Sequence, residues 1–388
     1  MTALSSSDTR KHQLLLVVLA GAMLLDSLEV SLVSTALPSI GGEFGSSPSG
    51  AQWALTGFTF GFGAALLPAR SLIHKLGRRR TYLVALGTFA VAAALSGAAP
   101  GIPELALAEV VKGACAAVTA PLGMAVIAAT FPEQRRAALT FALIGTAGSP
   151  IGLLLAGFAA QVSWRLAVSV TAVAAVALIL LALRTLPADP DFTPPTPSAR
   201  ALRTPSLLRA VLTAAAFNGA SIGLFVLANF ELQHAFGWQP WQVALVFLPA
   251  FGTLPLSVLA APSLLARRGP ALPITVGAVL GVAACLLYPA LGPLPSAIAL
   301  GLAYVALFAP VNAAATGGLR PADQPVGALA LQTAVQFGAV LVVPAVCALI
   351  STSDGSGPAA LLVTAVAVVA AVAAATGLLP ANSEKGTP

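Results

Sequence analysis

Residues 25–40 read LDSLEVSLVSTALPSI. The stretch lies inside the first long apolar run of the chain and carries two carboxylates, Asp26 and Glu29. Three residues apart, they share one face of a helix. An ionisable group at the middle of a membrane span costs at least ~2.5 kcal/mol on insertion scales. A chain that keeps two on one face of one span has a use for the charge or for the proton. The plainer alternative is a pairing with a basic residue that locks two helices together.

The rest of the chain fixes the surroundings of that stretch. Of 388 residues, 58% are hydrophobic and only 8% charged, with a mean hydropathy of +0.93. Soluble domains carry about 25% charged residues, so an all-α polytopic membrane protein follows. The net charge of +6 is spread over short loops and gathers in no patch, which argues against a nucleic-acid partner. Cys115, Cys285 and Cys347 lie in apolar runs and read as small buried hydrophobes. His12, His74 and His234 are scattered, so no metal site is expected. Without a Walker loop or a dinucleotide fingerprint, neither ATP hydrolysis nor any other cofactor is expected. Residues 1–12 are polar and end in Arg10-Lys11-His12, like the start of a signal peptide. The apolar run then continues without a cleavage site, and an uncleaved first span is expected.

A span needs roughly 20 apolar residues. About twelve stretches qualify: 13–36, 53–73, 81–99, 105–129, 138–160, 164–186, 208–230, 241–265, 271–291, 295–317, 326–350 and 357–379. With the N-terminus inside, sixteen of the nineteen Lys and Arg fall in inside loops, which places both termini in the cytoplasm. Residues 187–207, PADPDFTPPTPSARALRTPSL, are rich in proline and basic, and read as a cytoplasmic linker. It divides an N-terminal six-helix half (1–186) from a C-terminal six-helix half (208–388). The basic stretches 68–80 and 262–270 occupy matching places in the two, a weak internal repeat. Two pseudo-symmetric six-span halves joined inside the cell are the build of many secondary transporters, with the solute site between them.

Four stretches carry a family resemblance. Residues 28–40, LEVSLVSTALPSI, resemble the first-span motif L-D-x-T-I-V-x-x-A-L-P of the drug:proton antiporter branch of the major facilitator superfamily, with Glu29 in place of Asp and Asp26 as an extra acid. Residues 70–79, RSLIHKLGRR, resemble the loop motif G-x-L-x-D-R-x-G-R-R. Gly77, Arg78 and Arg79 keep it, while Arg70 replaces the glycine and His74 the aspartate that helps latch the halves in the outward-open state. Residues 109–113, EVVKG, stand where the family has R-x-x-Q-G, with Glu109 at the arginine and the base moved to Lys112. Residues 145–157, GTAGSPIGLLLAG, resemble the antiporter motif of the fifth span. Gly145, Gly148 and Gly152 form one small face, Pro150 allows a bend, and the face is expected to meet a helix of the other half.

The resemblance implies a monomer in the plasma membrane that exports a small lipophilic compound, a drug or secondary metabolite, against protons by alternating access. Asp26, Glu29, Glu109 and Lys112 would carry the proton coupling. Counting ~1.5 Å per residue from the span centres puts Glu29 and Lys112 each ~7 Å outward, so they should meet. Glu29 would then stay ionised and Asp26 hold the exchangeable proton, with Glu29→Gln leaving Lys112 unpaired. A local Glu109–Lys112 pair is the alternative. Asn218, Ser221, Asn312, Gln332 and Gln336 are the cavity candidates of the second half, or else interhelical hydrogen bonds. The changed residues Arg70, His74, Glu109 and Lys112 also leave a rival open: a transporter fold working as a membrane-embedded enzyme or binding protein on a lipophilic intermediate.

Overall fold

The computed structural model describes residues 6–131, 133–187, 203–317, 319–320 and 323–352. These hold thirteen helices and no strand. The expected span at 357–379, and all of the expected linker but a few residues at its two ends, lie outside the described residues.

The first half contains α1 (Ser6–Glu43), the single-turn α2 (Pro48–Ala51), α3 (Trp53–Leu76), α4 (Arg78–Gly97), α5 (Ile102–Thr130), α6 (Gln134–Ala159) and α7 (Trp164–Thr185). The second contains α8 (Pro205–His234), α9 (Pro240–Gly252), α10 (Leu254–Arg268), α11 (Ala271–Leu291), α12 (Pro293–Gly317) and α13 (Gln324–Thr352). Ten stretches among the described residues are long and apolar enough to cross a membrane, with α9 and α10 joined as one. Helix α3 is 24 residues long and packs along α5; Arg70, together with its glycines and threonines, lowers its hydropathy.

Lipid offers no hydrogen bonds, so backbone groups must be satisfied within each helix, and helix contact must come from close packing. Glycines provide it. A methyl group at Gly57, Gly61 or Gly113 would run into the backbone carbonyls of Ala106, Val110 or Phe58, so α3 and α5 touch backbone to backbone. Gly219 and Gly338 do the same for α8 and α13. The pairing repeats between halves: α1 packs on α6 as α8 packs on α13, and α3 packs on α5 as α9 and α10 pack on α12.

Residues 241–265 form one span built of two helices. Pro255 has no N–H for the Phe251 carbonyl, and Gly252 is a poor helix former, so the ladder breaks at Thr253. The Thr253 hydroxyl covers the gap, lying 2.8 Å from the Ala250 carbonyl and 3.1 Å from that of Gly301.

The halves pack along α3 with α13 and along α6 with α9 and α10, and an apolar core joins them at the end remote from the N-terminus. There Leu32, Val33, Ala36, Leu37 and Ile40 of α1 share one apolar cluster with Val226 and Phe230 of α8 and with Val343 and Cys347 of α13. Around it, Ser49 bonds Ser351 and the Cys347 carbonyl, and Phe158 stacks on Trp241.

Candidate functional site

Asp26 and Glu29 sit on α1 with 7% and 0% of their surface exposed. Helix α5 brings Lys112 and Glu109, both also at 0%, to the same level. Lys112 Nζ donates to Glu29 Oε2 at 2.9 Å. The same ammonium lies 2.7 Å from Glu109 Oε1, a contact of charges without hydrogen-bond alignment. One base therefore stands between an acid on its own helix and an acid on the neighbouring one. Glu29 Oε1 and Glu109 Oε2 have no hydrogen-bond partner, so the cluster is poorly satisfied for so dry a place. One turn below, Thr119 Oγ1 lies 3.5 Å from Asp26 Oδ2, at the limit of a hydrogen bond. The acids look into the first half, toward α5, and are covered from solvent.

Glu29→Gln would not orphan Lys112, because Glu109 remains beside it. The depth count places Lys112 against Glu29, and the i, i+3 spacing places it against Glu109; the two contacts coexist because α1 passes α5 at that level.

The loop residues take other places. Gly77 has φ 75°, a conformation that favours glycine, and turns the chain from α3 into α4 in one residue. Arg79 donates to the Leu183 carbonyl at 2.9 Å, in the last turn of α7, where a cation meets the negative end of the helix dipole. Arg78 reaches the Ala125 carbonyl at 3.5 Å. His74 is exposed. Arg70 lies in the last turns of α3.

The small face of α6 departs from expectation. A methyl group at Gly148 or Gly152 would meet the backbone of Leu24 or Leu28, and one at Gly145 the Met23 side chain. These glycines pack on α1, within their own half. The stripe spaced three and four residues apart faces one neighbour only. Gly157 lies off that stripe and meets Trp241 and Ala244 of α9, in the other half. Pro150 is inside α6.

In the second half, Asn218 donates across to the Val335 carbonyl of α13 at 2.9 Å. Ser221 bonds its own helix at Phe217, and Asn312 does so at Phe308. Gln332 and Gln336 are half-buried on α13, with Gln336 against Gly63 of α3. The candidates thus form no single cluster. Asn229, by contrast, was not singled out in the sequence. It is fully buried on α8 and donates from Nδ2 to the Ser34 and Thr35 carbonyls of α1 at 2.8 and 3.0 Å. Its signal was an amide inside an apolar span, the same signal that marked Asn218.

Comparison with known proteins adds the following. The family model described as Major Facilitator Superfamily matches residues 19–343. The puromycin resistance protein Pur8 of Streptomyces alboniger is 36% identical over 191 residues, 48% of this chain and 38% of that protein. The uncharacterized MFS-type transporter EfpA of Mycobacterium tuberculosis is 31% identical over 169 residues, 43% and 32% of the two chains. The cephamycin export protein CmcT of Amycolatopsis lactamdurans is 31% identical over 185 residues, 47% and 38%. The matched stretches thus span under two fifths of these relatives' length. A bacterial homolog to the human lysosomal transporter Spinster, in an inward-facing and occupied conformation, superposes with a TM-score of 0.72 at 16% identity, over 95% of this chain and 96% of that one. The same protein unoccupied gives 0.70. At that identity the likeness is one of fold.

Proposed function

Because the chain belongs to the Major Facilitator Superfamily, a family of membrane transporters, we propose that it exports a small lipophilic compound in exchange for protons by alternating access, as a monomer in the plasma membrane with both termini cytoplasmic. Relatives named for puromycin resistance and cephamycin export support an antibiotic-like cargo. They also favour transport over the enzymatic alternative. Proton coupling rests on one observation: the Lys112 ammonium lies between the carboxyls of Glu29 and Glu109, with the Asp26 carboxyl one turn away on α1 beside Thr119, all four nine-tenths or more buried.

Lys112 can balance one carboxylate. An unpaired charge in so dry a place costs several kcal/mol, on the order of what removing a buried partner costs. The other two carboxyls therefore hold protons in the resting cluster. Asp26 is the exchangeable one: it faces Thr119, and its carboxyl shares a face of α1 with Glu29. When Asp26 releases its proton, two carboxylates repel each other on one helix and strain the Glu29–Lys112 tie. Glu109 stands ready as the second partner of the lysine, so α1 can part from α5 without orphaning the base. The motion would begin within the first half, residues 1–186, and from there shift it against the second.

Proteoliposomes test it. Asp26→Asn should abolish solute movement driven by an imposed pH gradient and leave downhill exchange in place. An uncoupler should collapse the driven transport of the unsubstituted protein. Normal uphill transport by Asp26→Asn would refute the coupling role.

A further inference from the structure

We infer that Asn229 is the buried latch that keeps the end remote from the N-terminus shut, and that Pro38 creates its keyhole. In a regular helix the Ser34 carbonyl accepts from the N–H of residue 38. Residue 38 is proline, inside α1, and has no N–H to give. The carbonyl cannot turn to its own side chains. The Ser34 hydroxyl donates to Val30 and Ser31 carbonyls at 2.7 and 3.1 Å, and that of Thr35 to Ser31 at 2.7 Å. With Ser34 2% and Thr35 0% exposed, water does not serve either. An orphaned carbonyl in such a place is costly.

The donor comes from the other half. Asn229 Nδ2 carries two hydrogens, and the Ser34 and Thr35 carbonyls take one each. Gln233, one turn further along α8, donates from Nε2 to Asn229 Oδ1 at 2.6 Å. That bond fixes which end of the amide faces α1. All four groups are used, and the two halves are joined inside the apolar seal rather than at its wet rim. When this end opens, water can reach the Ser34 carbonyl and replace Asn229. The bond therefore holds one state and is exchanged in the other.

The inference rests on alternating access and needs no particular cargo or ion. Spin labels at Ser47→Cys and Ala235→Cys, both exposed at this end on opposite halves, report the opening as a distance distribution in proteoliposomes. Without further change the short distance should dominate. Asn229→Leu keeps the bulk and removes the donor, and should raise the long-distance fraction several-fold. Pro38→Ala returns an N–H to the Ser34 carbonyl and should raise it as well, with α1 still helical. Because both act at the Ser34 carbonyl, the two together should do no more than the stronger alone. Unchanged distances in both variants would overturn the latch. If the distances respond while the unsubstituted protein moves no solute under any gradient, the transport reading fails and the latch stands.

Discussion

Lys112 has two buried carboxyl groups for partners, and that asymmetry sets what each substitution should do. Removing the base leaves Glu29 and Glu109 facing each other in a dry site, the kind of change that costs about 3–5 kcal/mol. Removing either acid leaves the lysine paired with the other. Lys112→Met should therefore lower the melting temperature in detergent well below that of Glu29→Gln or Glu109→Gln. Adding both glutamines to Lys112→Met should recover most of the loss, since a dry site prefers neutral groups throughout. Equal damage from Glu29→Gln and Lys112→Met would contradict the shared pairing. The Glu29–Lys112 contact was legible in the sequence, because span centres give depth and charge gives the partner. That Glu109 shares the base was legible only as a competing choice, since the crossing of two helices decides it. Asn229 carried the same signal as Asn218, and what stayed hidden was its partners: backbone carbonyls have no letter in the sequence, and only Pro38 marks where one is missing its donor.

At the scale of elements, the glycines of α6 divide their work. Gly148 and Gly152 let α1 approach within one half, and Gly157 lets α9 approach from the other. Leucine at an interface built for glycine forces strain of about 1–3 kcal/mol or more. Gly148→Leu should thus lower thermal stability and expression of the whole protein. Gly157→Leu should leave each half folded and stable and should instead reduce transport, because it obstructs closure against Trp241 and Ala244. Melting curves beside transport rates check this, and a reversed pattern would mean the two faces are wrongly assigned. Several helices were legible nearly to their ends, since 271–291 coincides with α11 and the edges of 326–350 fall two residues inside α13, while 13–36 stops seven residues short of α1 at each end. Apolar length and loop charge carry that much. The partner of a glycine face was not legible, because a small-residue stripe states that a backbone comes close and not whose it is. The break between α9 and α10 was passed over for a related reason. A long apolar run argues for one span, and Pro255 acts locally without shortening it.

For the whole molecule, the proposed orientation and the contacts between the halves concern opposite ends of the bundle. The Lys and Arg distribution argues for a cytoplasmic N-terminal end of the bundle, the orientation proposed above. The inter-half hydrogen bonds among the described residues, Ser49 with Ser351 and Asn229 with α1, gather at the opposite end. The orientation half of this is testable without knowing any solute. Ser47, just before α2, and His74, in the last turn of α3, are both exposed and lie at opposite ends of the bundle. In intact cells a membrane-impermeant maleimide should label Ser47→Cys and leave His74→Cys unreacted; permeabilised cells or inside-out vesicles should expose His74→Cys. Arginine and lysine near span ends act as the topology signal because moving them across the bilayer is costly, so stripping Arg78, Arg79 and Arg80 should weaken this orientation before any other loop does. Labelling of His74→Cys from outside intact cells would invert the molecule, and with it the side from which the solute and the protons enter.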